Sequence, residues 1–152
     1  MSTLDRSFWT GLSIRVVDAD AILQVGALCL RQGKAEQEVL LVKSSRGRWI
    51  VPKGWPMDGH TDAETAKLEA WEEAGVLKGK ISKAPIGGYV TEKRFDDGRT
   101  VPCHVAVYRI DVKEMAKAYP EAALRKRKWM SLNDAVRKVD DSGLKALLKS
   151  LL

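Results

Sequence analysis

Hydrophobic residues fall into two runs early in the chain, with polar residues between them. Residues 23–32 are apolar and bounded by charge, which is typical of a buried strand. Residues 38–44 repeat the pattern after the polar stretch GKAEQ, so the two runs predict a β-hairpin. The segment RWIVP predicts a short third strand that ends at Pro52.

The spacing becomes helical after residue 61, where alanines recur at intervals of three and four. Thr61 and Glu64 match a capping box, in which a hydroxyl and a carboxylate satisfy free amides at a helix start. Gly75 is a good helix terminator because glycine tolerates the left-handed conformation. The pattern predicts a helix over 62–74.

Strand-like segments follow this helix, and helical segments end the chain. KISKAPIGGYVTEKRF predicts strand structure with a β-bulge at Gly87 and Gly88, and DDG at 96–98 predicts a tight turn. Residues 100–110 and the segment KRKWMSL predict two further strands. Helices are predicted from Ser131 and over SGLKALLKSLL. This order of elements predicts a mixed α/β domain.

Length and composition favour one globular domain over residues 1–152, because 45% of the residues are hydrophobic and 30% are charged. Cys29 and Cys103 lie in apolar strand-like runs, so we expect buried free thiols in a reducing compartment. The N-terminus shows no signal-peptide pattern, and the longest apolar-rich run is shorter than the ~20 residues that a bilayer requires. We therefore expect a cytoplasmic protein without a membrane segment.

The formal net charge of +6 favours anionic partners through long-range attraction. Nucleic acids, phosphorylated metabolites and membrane surfaces all satisfy this condition. Surface lysines that serve solubility explain the charge equally well.

Three glutamates, Glu69, Glu72 and Glu73, share one face of the predicted helix because they are spaced i, i+3 and i+4. Like charges at this spacing repel each other, and a bound cation relieves the repulsion. Mg²⁺ binds one or two carboxylates together with substrate phosphates. The cluster therefore predicts a magnesium site for a phosphate compound, with an ordinary solvated acidic face as the alternative.

The surroundings of the glutamates resemble the signature of the Nudix hydrolases, G-x5-E-x7-R-E-U-x-E-E-x-G-U, where U is a bulky aliphatic residue. The preceding RWIVPKG also resembles the approach that this family uses. The matching positions are Gly54, Glu69, Glu72, Glu73, Gly75 and Val76.

Three signature positions differ, because His60, Leu68 and Ala70 replace a glutamate, an arginine and an aliphatic residue. The loss of both the glutamate and the arginine indicates paired replacement of a structural salt bridge, which costs less than the loss of one partner. His60 is predicted as a solvent-facing loop residue, with a base or a ligand as the alternative.

Four segments, GALCLR, EVLLVKSSRGRWIVPKG, EEAGVLKG and RKRKWMSLNDAVRKV, resemble the diphosphoinositol polyphosphate phosphohydrolase branch, and residues 1–20 lie outside this resemblance. The resemblance implies an α/β/α sandwich around a mixed β-sheet. It also implies Glu72 as the catalytic base, with Glu69, Glu73 and Glu72 as ligands of Mg²⁺ or, alternatively, Mn²⁺. The substrate-binding residues that it implies are Ser44, Ser45, Arg46, Lys53, Gly54, Arg94, Arg99, His104, Arg125, Lys126 and Arg127.

The activity implied is metal-dependent hydrolysis of a diphosphate linkage, in a nucleoside-diphosphate compound or a polyphosphorylated small molecule. Diphosphoinositol polyphosphates and dinucleoside polyphosphates are the leading substrate classes. The alternative is a non-catalytic module that senses a ligand or binds nucleic acid, but such a module has no need of all three glutamates. We expect a phosphorylated small-molecule partner, no nucleic acid or membrane partner, and a monomer or homodimer.

Overall fold

A computed structural model describes the backbone of residues 15–16 and the whole of residues 21–152. The predicted boundary of the resemblance at residue 20 lies outside this part of the chain. The helices are α1 (Asp62–Ala74), α2 (Leu132–Lys138) and α3 (Ser142–Lys149). The strands are β1 (Arg15–Val16), β2 (Ile22–Gln32), β3 (Gln37–Lys43), β4 (Trp49–Ile50), β5 (Lys53–Gly54), β6 (Val76–Ile81), β7 (Gly87–Arg94), β8 (Thr100–Met115) and β9 (Arg127–Ser131).

All the strands join one mixed sheet whose central path runs β4-β3-β2-β8-β6. Strands β2 and β8 pair in parallel at its centre, and the other pairs are antiparallel. The short strand β5 adds to β2 beside the glycine loop. The predicted hairpin of β2 and β3 is confirmed by the pairing of Leu30 with Val39.

Helices cover both faces of the sheet. The alanine face of α1 packs on one face against Val25, Ala27 and Cys29 of β2. On the other face, α2 and α3 bury Leu132, Ala135, Leu144 and Leu148 against Leu28 and Leu30 of the same strand. The alternation of side chains along β2 sends neighbouring residues into the two layers. The predicted α/β/α sandwich is confirmed.

Local signals determine both ends of α1, as predicted. The Thr61 side chain accepts a hydrogen bond from the Glu64 amide at 3.1 Å, and the Glu64 carboxylate accepts one from the Thr61 amide at 2.8 Å. Gly75 ends the helix with a φ of 72° and donates its amide to main-chain carbonyls of the last turn. These contacts fix where the glutamate-bearing face begins and ends.

The predicted bulge at Gly87 and Gly88 is wrong. Both residues pair in regular register with β8, and a side chain at Gly88 would lie 2.8 Å from the carbonyl oxygen of Val105. These glycines permit close strand approach. The register shifts occur instead between Val76 and Gly79, where β6 pairs with β8.

Cys29 and Cys103 are free and buried, as predicted. Burial raises the pKa of the Cys29 thiol to about 12 and that of the Cys103 thiol to about 11. Within residues 21–152, no helix has the length and apolar character needed to cross a bilayer.

Candidate active site

Two of the predicted metal ligands, Glu69 and Glu73, form a buried carboxyl pair one helical turn apart on α1. Only 8% of Glu69 and 4% of Glu73 is exposed. Burial raises the pKa of both groups, that of Glu73 to about 9. A side-chain hydrogen bond between the two carboxyls raises the pKa of Glu73 further and lowers that of Glu69.

Gly54 makes room for this pair. A side chain at residue 54 would place its first carbon 2.5 Å from the Oε1 atom of Glu69. The carboxylate of Glu69 therefore lies directly against the main chain of β5, and the first glycine of the signature permits that approach. Gly54 is predicted to bind substrate, and its contact in the structure is with Glu69, a predicted metal ligand.

Glu121 and Arg125 lie beside the carboxyl pair. Arg125 Nε donates to Glu121 Oε1 at 2.8 Å, and about a quarter of each side chain is exposed. Besides burial, the negative charge of Glu121 raises the pKa of Glu69 and Glu73, and the charge of Arg125 lowers it. Arg125 is one of the predicted substrate-binding residues, and Glu121 is not among the predicted site residues. The signal available was its spacing, since an acid four residues before an arginine favours an ion pair on a helical turn.

The donor set fits a divalent cation held partly by the substrate. Among residues 21–152, no three Asp, Glu, His or Cys side chains are arranged to enclose a metal ion. Glu69 and Glu73 supply hard oxygen atoms at a poorly hydrated position, and Mg²⁺ completes its shell with phosphates and water. Glu72 is half-buried on the same helix. Burial of Glu69 is the main cause that raises its pKa, and the negative charge of Glu72 raises it further. The roles of Glu72 as third ligand and base remain predictions.

Lys53 precedes Gly54 on β5 and is half-buried. Its Nζ atom donates to Oε1 of Gln24 at 2.9 Å. Burial lowers the pKa of Lys53, and the charge of Glu73 opposes that shift. The ammonium group therefore lies within electrostatic reach of the carboxyl pair.

A serine-anchored turn carries the next set of predicted residues. Ser44 Oγ accepts hydrogen bonds from the amides of Arg46 at 3.3 Å and Arg48 at 3.2 Å. Gly47 completes the turn with a φ of 75°. Ser45 is exposed on it. Ser44 thus shapes the loop from within, and the two arginines project from it.

Arg46 and Arg94, which are 48 positions apart in sequence, line one groove with a cavity volume of about 610 Å³. Arg48, which sequence analysis misses, is a third arginine in its wall. Thr91 and Asp141 line the same groove and hydrogen-bond to each other, which joins β7 to the start of α3. The charge of Asp141 raises the pKa of Lys53 against the larger lowering effect of burial, so this groove lies near the lysine.

Four other predicted substrate-binding residues have different surroundings. Arg99 pairs with Asp97 at 2.7 Å on its own turn, and both are largely exposed. His104 lines a separate cavity of about 370 Å³ on β7 and β8. Arg127 Nη1 donates to the carbonyl oxygen of Ala74 at 2.8 Å, which caps α1. Lys126 is exposed. Substrate contact by these residues remains a prediction.

Two of the three signature departures, His60 and Leu68, share one location. His60 and Leu68 line the same cavity, of about 430 Å³, together with Trp71. His60 is exposed, and its Nδ1 atom lies 3.2 Å from the carbonyl oxygen of Asp58. This placement agrees with a solvent-facing loop histidine.

The NUDIX domain family matches residues 22–151 of the chain. The chain is 35% identical over 103 residues to the Arabidopsis thaliana protein named Nudix hydrolase 16, mitochondrial, covering 65% of this chain and 56% of that protein. The chain spans 50% to 60% of the length of this and two other plant relatives that it matches.

Solved structures share the fold at low sequence identity. A Caenorhabditis elegans Ap4A hydrolase binary complex superposes with a TM-score of 0.60 at 20% identity, covering 85% of this chain and 93% of that one. The NUDIX domain of Shewanella oneidensis NrtR, complexed with ADP ribose, superposes with a TM-score of 0.65 at 19% identity, covering 88% and 87%. These comparisons do not confirm the diphosphoinositol polyphosphate branch. The signature residues on α1, the sandwich around them and the match over residues 22–151 show that the chain belongs to the Nudix family.

Proposed function

We propose that the protein is a divalent-metal-dependent pyrophosphohydrolase that cleaves a diphosphate linkage in a polyphosphorylated small molecule. The observation that carries the proposal is the buried Glu69 and Glu73 pair held against Gly54. Burying two adjacent carboxyls is costly unless a proton or a cation compensates their charge. The pair would hold Mg²⁺ or, alternatively, Mn²⁺, which would supply neutralisation of phosphate charge and activation of a water molecule.

The chain's own residues then have distinct tasks. Glu69 and Glu73 would hold the cation, and Glu72 would accept the proton that the attacking water loses. Arg125 and Lys53 place positive charge near the carboxyl pair, where phosphate oxygens gain from charge-assisted hydrogen bonds. No covalent intermediate is required, so the buried cysteines take no part.

The arginine groove supports a substrate that carries further phosphates beyond the cleaved linkage. Arg46, Arg48 and Arg94 line it, and guanidinium groups suit bidentate phosphate contacts. Dinucleoside polyphosphates and diphosphoinositol polyphosphates both carry such phosphates, whereas a simple nucleotide sugar does not. One structural neighbour is named an Ap4A hydrolase, and another is complexed with ADP ribose. Candidate substrates therefore include both a dinucleoside polyphosphate and ADP-ribose.

A substrate panel with product analysis tests the proposal. The panel contains a diadenosine polyphosphate, a diphosphoinositol polyphosphate, ADP-ribose, a nucleotide sugar and a nucleoside triphosphate, each with Mg²⁺ or with excess chelator. We expect cleavage at a diphosphate linkage with Mg²⁺ only, fastest for one of the two polyphosphorylated classes. Saturable binding of these compounds without turnover would support the non-catalytic alternative. A cytoplasmic location and a single domain over residues 1–152 remain predictions.

A further inference from the structure

Gln24 is a buried polar residue in an otherwise apolar strand. Only 4% of it is exposed, and it stands in the run ILQVGALCL of β2. The other buried polar residues described between 21 and 152 are Thr65, Glu69 and Glu73, which all belong to α1. Burying an amide requires compensating hydrogen bonds. The partners of Gln24 therefore indicate what it does.

Strand register directs Lys53 toward Gln24. Gly26 lies directly opposite Lys53 in the pairing of β2 with β5, and Gln24 is two residues away on the same face. Gly26 carries no side chain, so the diagonal path from Lys53 to Gln24 stays open. A side chain at Gly26 would meet a methyl group of Val105 at 3.0 Å, which shows how closely the sheet packs there.

The amide oxygen of Gln24 accepts two hydrogen bonds. Lys53 Nζ donates at 2.9 Å, and the buried thiol of Cys103 donates at 3.4 Å. Because both partners are donors here, the amide is held with its oxygen toward the lysine. An ammonium group has three N–H bonds, so a single bond to Gln24 leaves two for phosphate oxygens.

We propose that Gln24 is a positioning residue that fixes the ammonium group of Lys53 for contact with the substrate's phosphates. A lysine side chain loses rotamer entropy when it is immobilised. A buried acceptor that holds the side chain before binding removes part of that loss from the binding step. The inference rests on the proposed function only in taking phosphate as the group that Lys53 contacts.

Calorimetric binding of inorganic pyrophosphate in the presence of Mg²⁺ tests this inference without requiring turnover. The proteins are wild type, Gln24→Met, Lys53→Met and the double variant. If Gln24 acts through Lys53, each single variant binds pyrophosphate about tenfold more weakly. The double variant then binds no more weakly than Lys53→Met, because the glutamine has no lysine to hold. Gln37→Met, the same substitution on β3 away from the site, leaves the affinity unchanged.

Turnover supplies a second readout, in which Gln24→Met raises KM with little change in kcat. Two results would overturn the inference. In one, Gln24→Met weakens pyrophosphate binding equally in wild type and in Lys53→Met, and in the other, Gln24→Met does not weaken binding at all. If Gln24→Met does not fold, Gln24→Asn enters the same cycle, since its side chain is one methylene too short to reach Lys53. Coupling without hydrolysis of any panel compound would uphold the inference and reject the proposed function. Hydrolysis without coupling between Gln24 and Lys53 would support the proposed function and overturn the inference.

Discussion

The carboxylate of Glu69 lies so close to the α-carbon of Gly54 that a side-chain carbon there would approach one of its oxygens to 2.5 Å. This contact joins the two halves of the Nudix signature, the glycine loop and the glutamate helix. The near atoms of Glu69 belong to the end of a flexible side chain, which can move aside. A side chain at residue 54 would therefore displace a predicted metal ligand more than it would strain the fold.

Gly54→Ala should separate activity from stability. Gly54 does not have a positive φ, so the backbone accepts alanine. We expect the free energy of unfolding to fall by less than ~1 kcal/mol, while kcat/KM falls ~10²-fold because Glu69 is misplaced. Thermal unfolding and steady-state kinetics measure the two effects.

Gly79→Ala is the matched control, because its new methyl group would meet Ile110 at 2.7 Å and the Asp111 carbonyl at 2.9 Å, where β6 pairs with β8, and would touch neither glutamate. It should lose ~1–3 kcal/mol of stability and keep its Mg²⁺ affinity. Wild-type activity in Gly54→Ala would contradict the role given to the glycine.

Local sequence signals explain why α1 could be predicted. The residues that surround the site but lie far from it in sequence, Gln24 and Glu121, could not be predicted in this way. The capping box and Gly75 act through contacts within four residues, so the predicted helix over 62–74 matches the structure. Gln24 is 29 positions from Lys53, and Glu121 lies about 50 positions beyond the glutamates. Only the sheet and the turn before β9 bring those groups together. The predicted bulge at Gly87 and Gly88 was wrong for a related reason. A pair of glycines is compatible with a bulge or with close strand approach, and only the register of β7 on β8 distinguishes the two.

Stabilisation of the protein by Mg²⁺ should increase with pH. Burial raises the pKa of Glu73 to about 9, so at neutral pH a proton on Glu73 competes with the cation. When the pKa of a carboxyl is raised in the folded state, the protein loses folding stability as pH rises above the pKa that this carboxyl has in the unfolded state. A bound cation offsets that loss. We expect the Mg²⁺-induced increase in Tm to be larger at about pH 8.5 than at about pH 6, and to level off above the pKa.

Glu73→Gln identifies the source of this pH dependence. The amide keeps the size of the side chain and cannot take up a proton or bind the cation strongly. The Mg²⁺-induced increase in Tm should become small and nearly independent of pH in this variant. An increase in wild type that is the same at both pH values would argue against a cation at the buried pair.

Neutralising the arginine groove should affect highly phosphorylated substrates most. Arg46→Ala or Arg94→Ala should raise KM several-fold for a polyphosphorylated substrate and less for a nucleotide sugar, since each added phosphate gains from each cation. Salt should reduce the difference. Arg137→Ala is the control, because Arg137 is an exposed arginine on α2 that pairs with Asp134. Equal KM changes for all substrates would contradict the prediction that the groove selects substrates by their number of phosphates.

Glu72→Gln tests the assignment of the general base. The substitution keeps size and polarity and removes basicity, and loss of a general base costs ~10² to 10⁴ in rate. Single-turnover rates should fall in that range, while substrate affinity changes little because Glu69, Glu73 and the cations remain. A loss below about tenfold would assign the base elsewhere, with His60 or Glu73 as the next residues to test.

The proposed function requires that the buried Glu69 and Glu73 pair hold a divalent cation for diphosphate hydrolysis. The most direct test is the single-turnover rate on the best panel substrate for wild type, Glu69→Gln and Glu73→Gln over a Mg²⁺ titration. We expect Mg²⁺-dependent cleavage by wild type, at least ~10²-fold slower cleavage by each variant at saturating substrate, and intact thermal unfolding for all three. Cleavage by wild type at an equal rate in excess chelator, or wild-type rates in either variant, would contradict it.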